Sequence, residues 1–325
     1  MSRKPLLLIT SLALLSLAHS GASKGAQADY PYSPVTTIEL SRFGCLRVYD
    51  FAVGPNSLVV LCRTEGGKLI LHDVEAGGGH LRSMALQGLD HSSYVLAVSA
   101  RNEVAVLGRG LPLRYSELVV ISAERVATEV QKLDQLLFDL RYIGDETIIA
   151  ANGQGVFSLP LDGDRRVRLT RVADVSSRYP LLVYDRGGIP QVMDMTFGSF
   201  PVTASSQPVG PSPPLQLPEA KNLPLFREDG SVVPMFYAGD VSASGNLCVL
   251  MAGFRHDEGA LMVVLGNNGE VRKKIRLGLA RHTHAITTTH PGGHEMPIAL
   301  RVGSNLAYTL ALTGTRISVY AIPGI

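Results

Sequence analysis

Asp50-Phe51-Ala52-Val53-Gly54-Pro55-Asn56-Ser57-Leu58-Val59-Val60-Leu61 is an apolar run, a four-residue turn and a second apolar run. Gly, Pro, Asn and Ser break the chain between two stretches rich in β-formers, which is the pattern of a β-hairpin. The figure recurs. Residues 94–98 lead through a turn at 100–102 into 104–107, and residues 138–143 pass through 144–146 into 147–151. Weaker or later copies join 181–184 to 191–195, 236–241 to 247–251 and 298–302 to 307–312.

Anchored on Asp50, Val95, Asp139, Leu182, Gly239 and Ala299, the copies are spaced by 45, 44, 43, 57 and 60 residues. Most carry a second hairpin: 69–74 with 81–86, 117–122 with 126–133, 155–159 with 167–172, and 260–265 with 271–277. Four strands at this period predict a propeller blade, because one such unit cannot bury both faces alone and stacking supplies the core. The fold expected is all-β, a six-bladed β-propeller of four-stranded antiparallel blades over residues 35–325. The last unit ends early, so residues 34–40 are predicted to supply its outer strand, with Ile38 pairing near Val319. Residues 119–140 also show apolar positions at helical spacing, and the β reading is kept there because they fall in phase with their neighbours. Residues 198–218 hold no charge and six prolines, so 198–234 is read as a loop excursion that widens the fourth unit.

The opening hairpin and its repeats resemble the six-bladed β-propellers of bacterial exported proteins, the NHL-like and TolB-like group. The chain has no Trp-Asp dipeptide, no Trp for an Asp-box and no regular Gly-Gly of the kelch type. The resemblance implies binding platforms, lyases or lactonases, and it implies ligands bound where each outer strand connects to the next inner strand. Those connections are 87–93, 134–135, 174–179, 219–233 and 280–295.

Composition narrows the class. Thirty Lys and Arg stand against 28 Asp and Glu, too even for an electrostatic nucleic-acid binder. Three cysteines make no disulfide scaffold, and 46% hydrophobic content excludes a disordered chain. Residues 1–28 read as a secretory signal, with Arg3 and Lys4 before an apolar stretch at 6–18 and Ala26-Gln27-Ala28 as the cut, or an earlier cut after Ser20. The mature protein is expected in the periplasm or secreted, without a membrane span. A cut after Ala28 removes Arg3, Lys4 and Lys24 and no acid, so the small basic excess belongs to the leader. Counting outward from the turn at 54–57 places Cys62 opposite Tyr49 rather than Cys45. The cysteines therefore look ill-placed for a bridge, and a Cys45–Cys62 disulfide stays open. Cys248 reads as a small buried hydrophobe.

Two constellations carry candidate chemistry. Four of nine histidines fall within residues 282–294: His282, His284, His290 and His294, followed by Glu295. Imidazoles beside a carboxylate suit a divalent transition metal, although no H-E-x-x-H spacing is present, and a solvated loop is the competing reading. His91 and Arg178 lie on other connections of the same face. Arg47, Arg141 and Arg301 sit on inner strands, where they either line the channel for an anionic ligand or pair with blade carboxylates such as Asp50 and Asp139. The expectation is a monomeric exported binding or scaffold protein for a protein or small-molecule ligand. The alternative is a metal-assisted lyase or hydrolase built on the histidine-rich loop.

Overall fold

Short runs of Val, Ile and Leu bounded by Gly, Asn and Asp extend and pair with their chain neighbours, because each tight turn returns the chain beside itself. In the computed structural model, residues 32–109, 115–152, 155–174, 182–186, 189–193, 199–201, 236–242, 244–252, 260–266, 271–278, 297–311 and 314–325 are described. Strand β1 (Thr36–Glu39) precedes a 3₁₀ turn at Leu40–Phe43. The first blade is β2 (Cys45–Val53), β3 (Leu58–Thr64), β4 (Leu69–Val74) and β5 (His80–Leu86). The second is β6 (Ser93–Val98), β7 (Val104–Arg109), β8 (Ser116–Ile121) and β9 (Gln131–Leu133). The third is β10 (Asp139–Ile143), β11 (Thr147–Ala151), β12 (Gly155–Pro160) and β13 (Thr170–Asp174). The fourth unit comprises β14 (Leu182–Arg186), β15 (Ile189–Met193) and β16 (Ser199–Pro201). The fifth is β17 (Phe236–Val241), β18 (Leu247–Ala252), β19 (Ala260–Leu265) and β20 (Val271–Leu277). The last sheet joins β21 (Pro297–Val302), β22 (Leu306–Ala311) and β23 (Arg316–Ala321) to β1.

Among the described residues there are five four-stranded sheets and one three-stranded sheet, where the sequence predicts six four-stranded blades. The shortfall lies in the fourth unit. Its third strand, β16, uses residues 199–201 of the stretch read from sequence as a loop, with Pro201 opposite Gln191 on β15. The rest of that excursion, 198 and 202–234, and residues 1–28, read from sequence as a secretory signal, lie outside the described residues. The N-terminal strand closes the last sheet antiparallel to β23, with Ile38 opposite Ile317 and Thr36 opposite Val319.

The first strands β2, β6, β10, β14, β17 and β21 neighbour one another in a closed cycle. Core clusters fill the gaps between sheets: Val60, Val74, Tyr308 and Val319 between last and first, Leu61, Leu71, Leu96 and Val106 between first and second. Consequently β3 is buried on both faces over Leu58–Cys62, while the outer strand β5 alternates towards solvent. No helix forms in 119–140; β8 takes its start, β9 its middle and β10 its end, and the tertiary stacking decides the local ambiguity. Among the described residues, no helix is long and apolar enough to cross a membrane.

Two bulges on β2 correct the cysteine register. The ladder runs regularly from Val53 opposite Leu58 back to Asp50 opposite Leu61, then skips Tyr49 so that Val48 faces Cys62. A second skip at Leu46 sets Cys45 opposite Thr64. The Val48 amide is held by the Gly314 carbonyl at 2.8 Å. Gly314 has φ +70°, and a Cβ there would stand 3.3 Å from the Val48 carbonyl oxygen, so the approach favours glycine. Each extra residue draws Cys45 back along the strand, and Cys45 and Cys62 form a disulfide with Cα atoms 5.6 Å apart.

Candidate functional site

Residues of the ring's inner strands enclose a cavity of about 660 Å³. Its described lining comes from the turn-proximal ends of β2, β6, β10, β17 and β21 together with the turn at 54–57 and residues 303–304. This is the opposite end of the inner strands from the outer-to-inner connections that the resemblance singles out. The hairpin turns, short and rich in Gly, Ser and Asn, let main chain approach the axis there.

Two arginines line this cavity from opposite parts of the ring. Arg301 on β21 bonds Asp50 Oδ1 at 2.7 Å, and its guanidinium lies 5.6 Å from the Phe51 ring centre. Both members of the pair are about nine-tenths buried. Arg141 on β10 is penalised by burial, but Asp139, Asp240 and Asp50 outweigh that penalty and hold its pKa above the ordinary guanidinium value. Arg47, by contrast, is exposed and stacks on Tyr49 at 5.0 Å, away from the cavity. The inner-strand carboxylates serve a second purpose. Asp50 Oδ2 accepts the Leu96 amide at 2.9 Å and Asp240 Oδ2 accepts the Val302 amide at 2.9 Å, each from the first strand of the next sheet. Those amides face a neighbouring blade rather than a ladder partner, so the carboxylate satisfies a donor that would otherwise be orphaned.

His91 lies elsewhere. It is buried, bonds Glu117 at 2.7 Å through Nε2, and packs over Gly108, where a Cβ would meet its ring at 2.3 Å. Its main-chain amide donates to the Tyr94 hydroxyl at 2.7 Å, so the ring is wedged inside the second blade and not on the cavity wall. Arg178 and the metal candidates His282, His284, His290, His294 and Glu295 lie outside the described residues.

Sequence inspection missed a histidine pair in the first blade. His72, on β4, is 3% exposed, and its Nδ1 lies 3.3 Å from His80 Nε2 and 3.1 Å from Ser83 Oγ. Burial first, then the neighbouring His80, push the His72 pKa down to about 4, against the opposing pull of Asp73. The unfolded chain takes up this proton near pH 6.5, the folded protein only near pH 4. Between these values the unfolded state binds more protons, so the stabilisation is full above the upper value and is lost as pH falls. Urea denaturation of the disulfide-bonded protein is expected to show a stability lower by roughly 2 kcal/mol at about pH 4.5 than near pH 7, after allowance for solvent screening. The drop should flatten in His72→Gln.

No protein-family model matches the chain. No curated protein matches it either. Solved structures do. A calcium-binding protein, regucalcin from Agrobacterium tumefaciens strain C58, aligns over 90% of this chain and 95% of its own at 10% identity and a TM-score of 0.51. Virginiamycin B lyase from Staphylococcus aureus covers 88% of each chain at 11% identity, TM-score 0.46. Hsv2 from Kluyveromyces lactis covers 82% of this chain and 71% of its own at 12% identity, TM-score 0.44. At such identities the likeness is one of fold, and it agrees with the sheets themselves: the chain is an all-β propeller with four-stranded antiparallel blades.

Proposed function

We propose that this chain is an exported, monomeric binding protein that holds a small polar molecule in its central cavity, with Arg141 as the main ionic contact. The observation that carries this reading is the cavity itself, whose volume of about 660 Å³ falls in the range of ordinary small-molecule sites. Two guanidinium groups there stand near three carboxylates, Asp50, Asp139 and Asp240. That balance disfavours a polyanion and favours a zwitterion or a neutral, hydroxyl-bearing ligand. Export is supported by the leader at 1–28 and by the buried disulfide, which an oxidising compartment maintains. The ring is taken as six-bladed, counting the three-stranded sheet as its fourth blade.

Calorimetric titration with a panel of amino acids, betaines, monosaccharides and sugar phosphates tests the assignment. A zwitterionic or neutral member is expected to bind, and Arg141→Met is expected to weaken it about tenfold, equivalent to about 1.4 kcal/mol. Equal affinity in the variant and the parent for every binder overturns the role of Arg141, and preference for the sugar phosphates overturns the charge argument.

A further inference from the structure

The first blade holds a group of donor atoms that the central cavity does not use. Cys45 on β2, Cys62 on β3 and His72 on β4 place two sulfurs and an imidazole nitrogen all within 4.8 Å of one another. The three residues are 3%, 0% and 3% exposed. The register explains the convergence: Val60 faces His72, Cys62 lies two residues further along the same side, and the β2 bulges bring Cys45 to the pair. On the far side of the ring, His72 Nδ1 is engaged by Ser83 Oγ and His80 Nε2, and Phe43 packs against both imidazoles. Nε2 of His72 is buried and has no hydrogen-bond partner. This is the arrangement of a metal-ligating histidine, whose second nitrogen is fixed by an outer partner while the first keeps a free lone pair.

We propose that reduction of the Cys45–Cys62 disulfide by a dithiol opens a buried site for a monovalent copper ion, ligated by both sulfurs and by His72 Nε2. The dithiol is oxidised to its own disulfide as its two electrons and two protons pass to the Cys45 and Cys62 sulfurs. Copper binding then forms two Cu–S bonds and one Cu–N bond and releases the two thiol protons. Thiolates select soft ions, and three donors in a dry pocket suit trigonal copper(I), whereas structural zinc requires a fourth ligand. His80 is unavailable as that ligand, since its Nε2 is tied to Ser83 Oγ at 2.7 Å. Cys248 belongs to a different core cluster, and burial pushes its thiol up to about 12.

The test uses the full chain carrying Cys248→Ala, reduced with dithiothreitol under anaerobic conditions and titrated with copper(I) against a bathocuproine competitor. One ion per chain is expected, with two sulfurs and one nitrogen in its X-ray absorption shell. The oxidised chain is expected not to bind. Affinity is expected to fall at least about tenfold in His72→Phe and in His72→Gln, with circular dichroism recording whether each variant is folded. A sulfur-only shell, equal binding by the oxidised chain, or affinity within about twofold of the parent in both His72 variants overturns the proposal. A reduced chain that unfolds and still binds copper falls under the last outcome, because loose thiols do not depend on His72.

Discussion

Asp50→Ala is expected to destabilise the protein by about 3–5 kcal/mol, the loss typical of breaking a buried ion pair from one side. The carboxylate ties three sheets together. It sits on β2, bonds Arg301 of the last sheet at 2.7 Å, and accepts the Leu96 amide of the second blade at 2.9 Å. Alanine leaves a guanidinium about nine-tenths buried without its counter-charge and also orphans a main-chain donor. Asp50→Asn keeps an acceptor for Leu96 and removes only the charge, so its loss should be smaller. In the double variant Asp50→Ala, Arg301→Met part of the loss should return, because the buried charge is gone. Urea denaturation midpoints for the parent, Asp50→Ala, Asp50→Asn, Arg301→Met and the double variant read this directly, and losses of the Asp50→Ala and Arg301→Met variants that add up in the double variant would show that the pair is not coupled.

Asp73→Ala is expected to cost a similar amount, again about 3–5 kcal/mol, through a different seam. Asp73 on β4 receives Arg82 from its own blade and Arg125 from the second blade, the latter at 2.6 Å. The Asp73 and Arg125 side chains are only 4% and 6% exposed. Arg125 stands in the left-handed region at φ 67°, from which its guanidinium also reaches the Asn102 carbonyl at 2.8 Å. The third blade repeats the device at Arg165, φ 57°, which pairs with Glu103 of the second blade at 2.9 Å. That arginine is 36% exposed, so Glu103→Ala should cost no more than about 1 kcal/mol, as expected of a solvated pair. The contrast between the two variants in chemical denaturation isolates burial as the cause. Equal losses would mean that turn conformation, not the ion pair, holds the seam.

The blade repeat was legible because strand and turn chemistry are local. The hairpin at 50–61 carries its own punctuation, and the β1 closure follows from a last unit one strand short. A further local signal went unread. Ser99, Ser122, Asp162 and Ser242 each head a turn in which a side-chain oxygen accepts the amide four residues on. Three residues after each comes a left-handed position, held by Asn102, Arg125, Arg165 and Gly245. Spacing alone shows this pattern, once it is sought as an Asx or Ser turn.

What could not be read depended on the third dimension. Bulges at Leu46 and Tyr49 shift the register that a turn count assumes regular, so the disulfide looked misaligned. The sequence of the fourth unit reads as a weak hairpin and a long excursion, but β16 begins inside that excursion. Arg47, Arg141 and Arg301 are alike in sequence, yet Arg47, set between two bulges near the start of β2, is exposed while the other two line the cavity. His91 was grouped by its connection, whereas the absence of a side chain at Gly108 lets it sink into the second blade. His72, an unremarked residue inside an apolar strand, is brought beside Cys62 by pairing with Val60.

On the proposed function, ligand is expected at the turn-proximal ends of the inner strands. Hydrogen–deuterium exchange with and without the tightest-binding molecule of the titration panel locates the site. Added protection is predicted in peptides spanning 52–58, 97–98, 141–142, 240–242 and 301–306. Protection confined to the outer-to-inner connections, such as 87–93, with these segments unchanged, would contradict it.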